Sequence, residues 1–502
     1  MTDRRLSSLS PDSLPEVFVP ADGPLAGPQR PAGGIARRGL FAAAGGAGLL
    51  GFGGLARAQG AAPAAAPPAA PPAASGGGSD QSAVIDVNRA RAAPIPIAIP
   101  DLLGADPASA QLGRNIAQVI TADLGNSGLF RPIPSTAFIT PTVDPGTGLP
   151  VFQNWGSIGA QALVTGQTQV SGSTIRVEFR LWDVLPQQQL QGTAYTTSMS
   201  NWRRIAHIMA DVIYQRLLGE PGYFDSRIVY VSLTGPRGRE THRLAIMDQD
   251  SANNRFLTDG SWMVLTPRFA PKGDLICFMS YANQAPRVYL FDLTNGRQRV
   301  LGDFAGMTFA PRFSPDGGSV IMSLAEGQGS SIVTVNLATH ARRQLTSSNA
   351  IDVSPCYSPD GSQIVFNSDR DGDPQLFVMN ADGSGVKRIS FGHARYGTPV
   401  WSPRGDLIAY TRYGGSEAAF SIGVMAPDGS GERAIAAGWD VEGPTFCPNG
   451  RVLMYFSQSR ATGNQGQGFS SQLMSVDVTG FNQRIVPTPT QASDPAWSPL
   501  GG

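Results

Sequence analysis

The chain has 502 residues, with 38 Lys and Arg against 38 Asp and Glu, so its formal net charge is zero. That length allows two or three domains, and the neutral balance excludes a protein that grips nucleic acid through a basic phosphate footprint. Gly 60 and Pro 40 together supply a fifth of the residues while charged residues reach only 15%, which leaves either disorder or a β-rich fold dense in tight turns.

Residues 1–58 read as an export signal. A polar leader ends in Arg37-Arg38, a Gly/Ala-rich apolar stretch runs from Gly39 to Leu55, and Ala56-Arg57-Ala58 supplies the small-x-small site that signal peptidase cuts after. The stretch is too short and too diluted by glycine for a stable membrane span. The arginine pair ahead of Gly39-Leu40-Phe41 resembles a twin-arginine signal, with an ordinary secretory signal as the alternative; both lead to the periplasm or the outside. Residues 59–82 are Ala/Pro-rich and then Gly/Ser-rich, a tether with nothing to bury. Cys277, Cys356 and Cys447 lie in no CxxC pattern and are expected as core thiols outside any disulfide framework.

Residues 94–220 predict a small α+β domain, two helices on a mixed sheet. Pro94 to Pro100 is a proline-bounded apolar run, hence a strand. Leu112, Ile116, Val119, Ile120 and Leu124 recur at helical spacing over 107–124. Ala162 to Gly166 and Thr174 to Val184 read as strands, the second entered through Ser171-Gly172-Ser173. Asn201 is positioned to cap a helix over 202–218 that Gly219 stops. His207 on that helix is expected to be structural, since no Cys or second His lies near it in sequence.

From residue 221 onward a repeat governs the chain. Pro-x-aromatic-x-Pro-x-Gly recurs at Pro267, Pro311, Pro355, Pro399, Pro444 and Pro495, at intervals of 44, 44, 44, 45 and 51 residues. A period in the forties built from short strands and Gly-rich turns predicts four-stranded propeller blades. The longer last interval is an insertion, Gln458 to Ser470. Residues 227–258 carry three strands with no motif ahead of them, and the sixth motif has no strands after it, so joining the two ends completes a sixth blade and leaves no open edge.

Chemistry is sparse. There is no G-x-S-x-G, P-loop or H-E-x-x-H, and His207, His242, His340 and His393 are scattered, so no catalytic residue, metal or cofactor is expected. Asp369-Arg370-Asp371-Gly372-Asp373 starts like a calcium loop, but its glycine is early and Asn380 stands where the bidentate Glu belongs; it reads as a polar loop. Trp262 and Trp439 fall in loops as candidate interface anchors, packing being the plainer role for each.

Trp202-Arg203-Arg204-Ile205-Ala206-His207, Asp211, Tyr214, the run Gly219 to Tyr230 and the terminal Pro495-Ala496-Trp497-Ser498-Pro499 resemble the TolB family, periplasmic propeller proteins of the Tol-Pal cell-envelope system. The resemblance covers roughly 83–502 and implies two protein partners. The stretch Ala83-Val84-Ile85-Asp86-Val87-Asn88-Arg89, within a segment 83–93, is similar to the part that binds the inner-membrane protein TolA. The propeller face away from the small domain is implied to bind the peptidoglycan-associated lipoprotein Pal. The long Ala/Pro tether departs from the family and places the TolA-like segment well inside the mature chain.

Loops preceding each motif proline belong on one face, which makes Ser261, Trp262, Met263, Ala305, Gly306, Met307, Ser348, Asn349, Arg395, Tyr396 and Glu442 the candidate Pal contacts. The expectation is a non-enzymatic monomer that serves envelope integrity and cell division. A periplasmic propeller enzyme of lactonase or sugar-processing type, with a metal in its channel, is the rival; a carbohydrate-binding module is a third reading.

Overall fold

The computed structural model describes residues 93–144, 148–236, 239–282, 285–347, 349–414, 419–461 and 468–501. The expected signal, the tether, Ala83 to Arg89 and Ser348 lie outside the described residues. No helix among the described residues is long and apolar enough to cross a membrane.

The small domain holds the expected order with additions. Strand β1 (Ile95–Ala98) pairs in parallel with β3 (Phe130–Pro132) and β4 (Ala162–Ser171), and β4 continues antiparallel through β5 (Thr174–Asp183) to β6 (Gln188–Ser198). The two-residue β2 (Leu103–Gly104) adds to β4. Helix α1 (Pro107–Asn126) starts at Asp106, whose carboxylate accepts from the amides of Ala108 and Ser109 at 2.9 and 3.0 Å. A short helix α2 (Phe152–Ser157) was not legible, because the prolines around it break every hydrophobic period. Buried Trp155 anchors it, donating to the Thr142 carbonyl at 3.2 Å with the Phe138 ring at 5.0 Å.

Helix α3 (Trp202–Leu218) ends as expected at Gly219, φ +76°. Its start differs. Asn201 sits at the cap position, but its side chain donates to Thr197 at 3.1 Å and caps no helical amide. The single turn Met199–Asn201 leads into α3 in its place.

Six four-stranded antiparallel sheets follow. Five are consecutive in the chain; the sixth runs from the C-terminal strand Gln491–Trp497 through β7 (Arg227–Thr234) and β8 (Thr241–Asp248) to β9 (Arg255–Phe256). The ring therefore closes with the C-terminal strand, Ala496 opposite Val229 and Trp497 opposite Ile228. The insertion at 458–470 lengthens a hairpin: Val452–Ala461 and Gly468–Asp477 pair over ten positions, out to Ala461 and Gly468. Cys277, Cys356 and Cys447 are buried and unpaired, with burial pushing the Cys277 thiol up to about 12 and that of Cys447 to about 11.

The repeat does two things in each blade. Its glycine takes a left-handed turn, φ +72° at Gly273 and +79° at Gly405, which admits no Cβ without strain. Its first proline lies within a bulge of the innermost strand, and the residue before it is left-handed: Thr266, Ala310, Ser354, Thr398, Gly443 and Asp494 have φ from 46° to 67°. Only one of the six is glycine. A bulge at the same level of all six inner strands bends and twists each as it passes the axis.

The small domain packs on the face carrying the motif turns. Asn449 donates to the Pro221 carbonyl at 2.7 Å and Arg404 pairs with Glu220 at 2.9 Å. Trp497 donates to Ser226 at 2.8 Å while its ring meets Tyr223 edge-on at 5.8 Å. One apolar core runs from Ile97 and Leu124 through Tyr214 and Phe224 to Met454 and Trp497, so the two domains share an interior.

Candidate protein-binding site at the propeller mouth

Each inner strand starts at the end of the propeller remote from the small domain, so the loops feeding it surround the open mouth. Ser261 is exposed and held by Asp259 through its amide at 2.9 Å and its hydroxyl at 2.7 Å. Beside it Trp262 is 47% exposed; Met263 is half-buried and its carbonyl accepts from the Tyr281 amide. Ala305 is exposed, and Gly306 lies so close to the next strand that a Cβ would stand 2.1 Å from the Ala325 carbonyl oxygen. Met307 opens its inner strand, half-buried against Met279, Phe309 and Val353. Asn349 is exposed. Arg395 reaches across to Asp373 at 2.9 Å.

Tyr396 does not belong to this surface. It is 1% exposed, packs on Tyr410 at 5.3 Å and donates to Glu432 at 2.8 Å, because alternation along the strand turns its ring into the blade while Arg395 faces out.

The mouth has two chemically different sectors. Leu265, Met279, Phe309 and Val353 make an apolar side. Opposite, Glu442 is held up to about 8 by burial and by the neighbouring charges of Asp440 and Asp494, so it carries a proton at neutral pH. Burial also raises Asp440, and it raises Asp494 against the opposing charge of Arg268. Burial and the like charge of Arg312 bring Arg268 down to about 9. The hydroxyls of Tyr281 and Tyr413 and one oxygen of Asp440 have no hydrogen-bond partner among the described residues. Trp439, directly ahead of this acidic sector, is 45% exposed.

No local motif marks Asp440, Asp494 or either tyrosine. They stand at mouth-facing positions of different blades, and only superposing the repeat units on one another brings them together.

The calcium-like loop spends its charges on neighbours: Arg370 pairs with Asp352, Asp371 with Arg388, and Asp373 with Arg395. Among the described residues the group compact enough for a metal ion is Asp123, His207 and Asp250, with ligand atoms within 4.8 Å of one another. It fits a cation poorly. Asp123 faces Nδ1 of the ring and Asp250 faces Nε2, so an ion on either nitrogen reaches one carboxylate, and Arg203 already pairs with Asp250.

Fold and site together define a two-domain protein, a closed six-bladed propeller covered on one face by an α+β domain and open on the other. The family model described as TolB amino-terminal domain matches residues 83–190, and that described as TolB beta propeller domain matches 214–501. The chain is 56% identical over 421 residues to Tol-Pal system protein TolB of Gluconobacter oxydans, covering 84% of this chain and 89% of that one. It is 60% identical over 423 residues to the protein of the same name from Rhizorhabdus wittichii, covering 83% and 94%. The crystal structure of TolB from Acinetobacter baumannii superposes with a TM-score of 0.71 at 26% identity, over 81% of this chain and 97% of that one. The chain belongs to the TolB family and is a component of the Tol-Pal system.

Proposed function

We propose that the chain works in the periplasm as a non-enzymatic connector, its mouth holding the lipoprotein Pal and its segment 83–89 engaging TolA. The observation that carries this reading is the mouth itself. Two half-exposed indoles, Trp262 and Trp439, stand at its rim, Trp439 directly ahead of the acidic sector. Half-exposed aromatic anchors around an open rim are what a protein interface needs. The small domain occupies the other face, which leaves this one open to a second protein. Linking TolA to Pal in this way serves outer-membrane integrity and constriction at division.

Affinity capture from an envelope extract tests the reading. The mature chain should retain a peptidoglycan-bound lipoprotein, and Trp262→Ala combined with Trp439→Ala should release it. Retention by the double variant equal to that of the parent would place the interface elsewhere.

A further inference from the structure

His207 lies where the small domain meets the propeller, and its two ring nitrogens face carboxylates from different domains. Nδ1 is 2.6 Å from Asp123 on α1, in its own domain. Nε2 points toward Asp250, in the turn between β8 and β9 of the propeller, at 4.0 Å. The ring is 3% exposed, and Nε2 has no hydrogen-bond partner among the described residues.

A neutral imidazole cannot serve both sides. With the proton on Nδ1 for Asp123, Nε2 turns a lone pair toward a second carboxylate in a buried site. Only the doubly protonated ring offers an N–H to each domain. We propose that His207 is a proton-operated joint: its imidazolium draws the small domain onto the propeller through Asp250, and loss of the Nε2 proton loosens that contact.

The surrounding charges fit this role. From its own helix, Arg203 pairs with Asp250 and lies 3.6 Å from Asp248, which fixes both propeller carboxylates in front of the ring. Asp123 is held in turn by Gln249 of the propeller at 2.7 Å, a cross-domain bond that does not depend on the proton. Arg484 from the neighbouring blade faces Asp123 and Asp250, and Asp211, one turn along α3, faces Asp123. Burial alone would lower the His207 pKa, but the hydrogen bond and charge of Asp123, with Asp250 and Asp248 behind it, turn the balance upward. Burial raises Asp123 as well, so the pair retains its protons further up the pH scale than either group would free in water. The joint is therefore complete below the ordinary histidine value of 6.5 and is lost as pH climbs through the raised one.

The test uses the mature chain with isotope-labelled histidine and with donor and acceptor dyes at Ser157→Cys and Ala338→Cys, exposed positions on the two domains. One histidine should titrate above its ordinary value, and the interdomain distance distribution should broaden with the same midpoint. Asp250→Asn should move both midpoints down together, and His207→Gln should give the broad distribution at every pH. A pH-independent distance, a His207 that titrates at or below the ordinary value, or a distance midpoint that Asp250→Asn leaves in place would each overturn the joint.

Discussion

The two faces of the propeller are built from the same repeat and put to opposite uses. On the face toward the small domain, the propeller is covered and packed: Asp211 accepts from the amides of Phe224 and Asp225 at 2.7 and 3.0 Å, and Trp497 is buried with its indole N–H bonded. At the mouth, the Trp262 and Trp439 indoles stand half exposed to solvent. Identical blade geometry thus gives a covered face at one end and an open site at the other. The difference lies in which side chains the turns and loops carry.

Changes on the closed face should cost most in stability. Removing residues 491–502 deletes the strand that closes the ring and exposes the β7 edge, and the chain should lose its cooperative melting transition. Trp497→Ala, which keeps the strand, should cost about 3–5 kcal/mol, read as a drop in denaturation midpoint. If either change left the melting curve intact, the ring would not depend on that closure.

Next comes Gly222, where a Cβ would stand 2.1 Å from the Asp211 carboxylate and 2.6 Å from its Cα. Gly222→Ala should push Asp211 off two amides, at about 1–3 kcal/mol for each one left unpaired.

pH separates the faces more finely. Burial lifts Asp211 to about 7 and Glu442 to about 8. A carboxyl whose folded pKa lies above its free value contributes most at low pH and loses that contribution as pH rises. Stability should fall from about pH 4 to 7 for Asp211 and on to about 8 for Glu442. Asp211→Asn should flatten the first part of the decline and Glu442→Gln the last, in urea melts run at stepped pH.

The smallest effects belong to the mouth rim and the bulges. Trp262→Ala should change stability by no more than about 0.5 kcal/mol while weakening partner binding by about 2 kcal/mol or more, the signature of an interface anchor. Ala310→Gly, which relieves a left-handed Cβ at φ +48°, should be neutral or stabilising by about 1 kcal/mol in the same melts.

Much of this architecture could be read directly. The spacing of Pro267, Pro311, Pro355, Pro399, Pro444 and Pro495 set the blade count, and unmatched strands at the two ends revealed the closure, because both signals are local and periodic. The bulges were not legible: a left-handed Thr266 or Ser354 ahead of proline runs against the usual preference of those residues and is imposed by the packed ring. Helix α2 was hidden by prolines, and the Asn201 cap failed because Thr197 competes for its side chain. Of the site, the position of the rim loops ahead of each motif proline could be read, but Tyr396 and Arg395 could not be told apart without the strand register. The acidic sector joins residues from separate blades, and His207 finds Asp123 from 84 positions away, contacts that no local pattern announces.

The most direct test measures TolA and Pal binding by titration calorimetry on the same three proteins: the mature chain, a variant lacking residues 83–89, and one carrying Trp262→Ala, Trp439→Ala and Arg395→Glu at the mouth. The deletion should abolish TolA binding and keep Pal, while the mouth variant should lose Pal and keep TolA. Loss of both partners in either variant, or Pal affinity unchanged by the mouth substitutions, would contradict this separation of roles.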